Sequence, residues 1–164
     1  MLMLMNPLIL FIVIAVIFGV LPLIMRSNVV AMFMSLFVGE AIAGLLAQDI
    51  TDIISSTVNL NIPVYNIVQI CLLITAPLIL LFLTKKSIGP AGFIMQIVPA
   101  VALVVVCFVF ISAKLPYDQQ QIVEGSKYYA LAKPYMGILI GAALVFCILY
   151  FMSHGSKSDH KKKH

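Results

Sequence analysis

The chain has 164 residues, 63% of them apolar and only 10% charged, and a formal net charge of +4. So small a charged fraction cannot cover a soluble globule, and long apolar runs on that background indicate an integral membrane protein. Those runs leave no room for a separate soluble catalytic domain. The basic residues sit in short loops and a tail without interleaved aromatics, which points to membrane surface and away from nucleic acid.

A hydrocarbon core of roughly 30 Å takes about 20 apolar residues in a helix. Residues 7–25, 29–47, 65–84, 90–113 and 135–152 are the expected spans. They are continuously apolar and lack the alternation of a membrane barrel. The expected fold is therefore all-α: a polytopic bundle of five transmembrane helices over residues 1–152, with one short interfacial helix. A basic, disordered tail is expected over 153–164, where there is no apolar residue after Gly155 to support packing.

The N-terminal stretch MLMLMNPLILFIVIAVIFGVLPLIM has no basic leader and no small-residue cleavage site, so it reads as a retained first span. The turn after it carries Arg26. Span two contains FVGEAIAGLLA, an apolar run interrupted by Glu40. Glu40 lies about 16 Å into that helix at about 1.5 Å per residue, near mid-bilayer. An ionised carboxylate there costs at least about 2.5–3.5 kcal/mol, so it must be protonated, paired or covered by protein. Gly39, Ala43 and Gly44 surround it, and small residues let a second helix approach closely.

No span contains Arg, Lys or His, so an ion pair within one copy is not expected. Glu40 is expected as a protonated carboxyl hydrogen-bonded to an amide or hydroxyl, with Gln69, Gln96, Ser35 and Thr75 as the available partners. Beyond span two, residues 48–64 (QDITDIISSTVNLNIPV) place Ile50, Ile53, Ile54 and Val58 at helical spacing among polar residues. That pattern suits a separate short helix lying in the membrane interface, ended by Pro63.

Span three contains Pro77 and is followed by Lys85 and Lys86. Span four contains Pro99. Both prolines are candidate kinks, since proline removes a backbone donor and membrane helices tolerate the loss. The connection KLPYDQQQIVEGSKYYALAKP places Tyr117, Tyr128 and Tyr129 near headgroup level. Span five carries Gly137 and Gly141 at the G-x-x-x-G spacing that favours helix packing.

In the tail, Lys161, Lys162 and Lys163 join Arg26, Lys85 and Lys86 as residues expected to lie against anionic lipid. His154, His160 and His164 are interleaved with lysine, which disfavours a metal. With five spans, seven of the basic residues fall on one side and three (Lys114, Lys127, Lys133) on the other. By the positive-inside rule the N-terminus is outside and the C-terminus cytoplasmic. The final KKKH also resembles a dilysine retrieval signal, the mark of an alternative home in the endoplasmic reticulum membrane. Cys71, Cys107 and Cys147 lie in apolar runs without metal or disulfide spacing.

From residue 26 to 116 the order of features resembles the colicin V production (CvpA-like) family of small bacterial membrane proteins. The features that match are the basic turn Met25-Arg26-Ser27, MSLFVGEAIAGLLA, the amphipathic DITDIISSTVNL, a third span closing on Thr-Lys-Lys, the turn SIGPAG, and a fourth span closing on KLP. That resemblance implies an accessory role in secretion and envelope homeostasis in a bacterial inner membrane, with no catalytic residue and no cofactor.

The expectation is a non-enzymatic membrane subunit whose partners are the lipid bilayer, other membrane proteins or further copies of itself. The alternative is a small channel or transporter conducting past Glu40, Gln69 and Gln96. A subunit should tolerate Glu40→Gln, whereas a conduction path should not.

Overall fold

The computed structural model describes residues 6–57, 62–85 and 94–155. Among them there is no strand, and there are six helices besides one 3₁₀ turn. The first, α1 (Pro7–Met25), is opened by Asn6, whose side-chain oxygen accepts the Leu8 N–H at 3.0 Å. Its centre, Ala15–Val20, widens into a π-helical turn in which the Leu21 N–H reaches back to the Val16 carbonyl. Pro22 accounts for the widening: it has no N–H for the Phe18 carbonyl, and its ring would crowd that oxygen in a regular α-turn. The helix ends with Arg26 in the left-handed region at φ 52°, and the Ser27 N–H donates to the Pro22 carbonyl, a closure normally given to glycine.

Helix α2 (Val29–Thr57) is one continuous element of 29 residues, about 43 Å long. The sequence suggested a break near Ala47 and a separate interfacial helix. The backbone runs on because nothing between Ala47 and Thr57 breaks it. Thr51 donates to the Ala47 carbonyl at 2.7 Å and Gln48 to Asp52 at 2.9 Å, both one turn apart. Val58 and the rest of 58–61 lie outside the described residues.

Helix α3 (Val64–Leu83) follows Pro63, within a residue of the expected span. A single 3₁₀ turn, Ile94–Gln96, leads into α4 (Ile97–Ala113). At 17 residues α4 is shorter than the expected span; residues 90–93, which would complete it, lie outside the described ones. Pro99 stands in its first turn, where a missing N–H breaks no helical bond. The connection then folds as α5 (Tyr117–Glu124). Helix α6 (Lys127–Gly155) runs through Pro134 and takes in residues assigned by sequence to a loop and to the start of the tail. Residues 156–164, including Lys161, Lys162 and Lys163, are outside the described part.

Helices α1, α2, α3 and α6 are long and apolar enough to cross a membrane, and α4 is a shorter apolar helix. Apolar side chains cover much of the outside of the bundle; Leu45, Ile24 and Ile138 are among the most exposed. Apolar matter on both the inside and the outside indicates a membrane-spanning protein. The centre is α4, which buries Leu103, Val106, Cys107 and Phe108 completely among α1, α2 and α6. Helices α2 and α3 pair as an antiparallel hairpin with the most extensive contact in the molecule.

Candidate functional site: an ion pair between helices

The α2/α3 hairpin is tightest at Gly39. A Cβ there would lie 2.5 Å from the Leu73 carbonyl oxygen, so one Cα–H of Gly39 points at that oxygen. Leu73 is four residues before Pro77, which has no N–H to give it. The Gly39 approach therefore falls on a carbonyl whose ordinary helical donor is missing, where a weak Cα–H contact forms in its place. Ala43 and Ala47 continue the same face one and two turns on and are buried. Gly39 thus meets α3 within a single copy.

Glu40 is turned away from that seam and meets a group that sequence reasoning had not paired with it. The Lys114 ammonium donates to Glu40 Oε1 at 2.9 Å. The expectation that no internal ion pair could form is overturned. Lys114 follows the last residue of α4, and its long stem carries the charge back along the bundle towards α2. The Asn66 amide, in the first turn of α3, donates to the Lys114 carbonyl at 2.8 Å. Lys114 thus links α2, α3 and the end of α4 at one point, and a cation at a helix C-terminus is further favoured by the helix dipole. The lysine side chain is 11% exposed and the glutamate 37%, while Glu40 Oε2 is enclosed and has no hydrogen-bond partner. The outward exposure falls on the rest of the Glu40 side chain.

The other expected partners of Glu40 are engaged elsewhere. Ser35 donates to the Met32 carbonyl and Thr75 to the Cys71 carbonyl, each within its own helix. Gln69 donates to the Tyr65 hydroxyl at 2.9 Å. Gln96 is buried at the opposite end of α2, where its Oε1 accepts the Val30 N–H at 3.2 Å. There it joins a polar knot that caps α2: Asn28 accepts from the Ala31 N–H, Thr84 accepts from the Asn28 N–H, and Ser27 donates to the Leu81 carbonyl. Ten residues, about 15 Å, separate Val30 from Glu40. Gln96 is therefore not at the level of Glu40.

Gly44, Gly137 and Gly141 are exposed, and open space lies where a Cβ would stand on each. They pack against nothing in this copy. Arg26 and Lys85 are exposed at the end of the bundle that holds the polar knot; Lys86 lies outside the described residues. No group of three or more His, Cys, Asp or Glu that could hold a metal occurs among the described residues.

These features define a helical membrane protein with a polar pin between its helices. Compared with protein-family models, curated protein sequences and solved structures, the chain matches none.

Proposed function

We propose that this protein is a non-enzymatic integral membrane subunit, an accessory or scaffold component of a larger envelope or secretion assembly in a bacterial inner membrane. The observation that carries the reading is the bare glycine surface on α6. Gly137 and Gly141 stand one turn apart on the outside of the bundle with nothing over them, an opening that allows a second helix close approach. Gly44, one turn beyond Glu40 on α2, offers another such opening beside the partly exposed Glu40 side chain. The resemblance in layout to the CvpA-like family supports the same role, as does the excess of basic residues on the side that the positive-inside rule makes cytoplasmic. Glu40 serves in it as a structural pin held by Lys114.

Purification in mild detergent, followed by native mass measurement, tests the proposal. The protein is expected as a homo-oligomer or in complex with other membrane proteins, and Gly141→Leu is expected to release it as a monomer while the helical content is kept. A partnerless wild-type monomer would refute the reading.

A further inference from the structure

Two cavities of about 490 Å³ and 300 Å³ open on the same flank of the bundle and share Phe11 and Val105 in their walls. Together they form one trough between α1 and α6, floored by α4. Ile97, Val101 and Val105 form the floor. Gly19 keeps the α1 wall low, since a Cβ there would already press on Val104 at 2.9 Å, and Leu131 and Ile138 rise on the α6 side.

The trough runs from Ile97, in the first turn of α4, to the level of Phe108, against which Phe11 packs edge-on at 5.3 Å. Eleven residues of helix make that about 16 Å, or half of a hydrocarbon core of roughly 30 Å. This is the reach of an acyl chain from one leaflet.

The two ends of the trough differ in chemistry. Near Ile97 the lining is apolar. At the other end Tyr128 stacks on Phe11 with ring centroids 6.3 Å apart; Tyr135 lines the wall two turns further along α6, about 10 Å deeper. Neither hydroxyl is hydrogen-bonded to protein among the described residues. Lys127 lies above the Tyr128 ring, its ammonium 5.5 Å from the centroid, and forms no ion pair among the described residues. Glu124, on the adjoining α5, is occupied by Gln120 and the Tyr129 hydroxyl. An ammonium without an ion pair and a phenol without a hydrogen-bond partner, at one end of an apolar trough one leaflet deep, match a phosphate joined to an acyl chain.

We propose that the α1/α6 trough binds one anionic phospholipid, its chain lying along α4 and its phosphate held by Lys127 with the Tyr128 hydroxyl.

The full-length protein can be reconstituted in vesicles of mixed phosphatidylcholine and phosphatidylglycerol, released into mild detergent and weighed by native mass spectrometry. The wild type is expected to retain one phosphatidylglycerol in preference to phosphatidylcholine. Val105→Trp, which fills the floor, is expected to abolish retention. Ala132→Phe on the α6 wall gives the same reading should the tryptophan variant fail to fold. Lys127→Ala is expected to keep a bound lipid but to lower the preference for the anionic headgroup about fivefold, the contribution of one lysine near a charged surface. Equal retention of the two lipids by the wild type would overturn the proposal. So would unchanged retention in both filled variants, or a lipid-free dimer that the filled variants dissociate, because a second copy would then occupy the trough.

Discussion

Two residues show how small a difference decides close packing. At Gly39 the obstacle to a methyl group is the backbone carbonyl of Leu73, which cannot move without bending α3 at Pro77. At Gly19 the obstacle is one branch of the Val104 side chain, which can turn. Gly39→Ala is therefore expected to cost about 1–3 kcal/mol, in the range of overpacking, and Gly19→Ala clearly less; thermal unfolding of the two variants in one detergent measures the difference. For Glu40 and Lys114, removing one partner strands the other charge. Glu40→Leu and Lys114→Met are each expected to lower the unfolding midpoint, and the double variant to recover most of the loss. Additive losses would mean that the pair does not act as a unit. Gly39 stood out in the sequence as a small residue in an apolar run, and Glu40 as an acid there in need of a partner. Lys114 was not legible, because a lysine just past the end of a span reads as a solvated loop charge. Its reach depends on where the end of α4 sits beside α2, a tertiary fact that no local pattern encodes.

At the level of elements, helix existence followed from apolar length, while helix ends did not. Residues 48–57 carry a polar, amphipathic pattern that suggested a new element, yet a change of solvent exposure is not a helix stop. Gly and Pro are the usual helix stops, and neither occurs between Ala47 and Thr57. Helix α6 runs back to Lys127 through Pro134 against that rule, a proline of the kind that membrane helices tolerate. Hydrogen exchange tests the continuity of α2: amides of residues 48–52 are expected to be protected much like those near Ala43, with protection fading towards Thr57. A separate interfacial helix would show a break at Ala47. The cap of α2 is equally specific, because the Val30 N–H depends on Gln96 from α4. Gln96→Leu leaves that buried donor unpaired and is expected to cost about 1–3 kcal/mol, read in the same unfolding assay.

For the whole molecule, the ends of the bundle carry different chemistry. Arg26, Lys85 and the cap formed by Ser27, Asn28, Thr84 and Gln96 gather at one end, and Lys127 with its tyrosines at the other. If the bundle spans the bilayer as proposed, Lys85→Cys and Lys127→Cys are expected to react with an impermeant thiol reagent from opposite faces of sealed vesicles. Reaction of both from one face would refute that topology. The all-α architecture was evident from composition alone, since unbroken apolar runs admit no other membrane fold. The burial of α4 at the centre was not, because its hydropathy resembles that of the helices around it, and only packing distinguishes an inner helix from an outer one.

The depth of the Lys114–Glu40 pair bears on the host membrane. The pair joins the far end of α4 to a carboxylate partway along α2, and the Glu40 side chain is 37% exposed on the outside of the bundle. A charged fastening held that deep draws the headgroup boundary inward on its flank, so the surrounding bilayer is compressed against the protein at a cost that grows with each ångström of mismatch. Lipids with shorter tails relieve that compression. The unfolding midpoint in vesicles should therefore fall as acyl chains lengthen, and the protein should partition into the thinner regions of a membrane of mixed thickness.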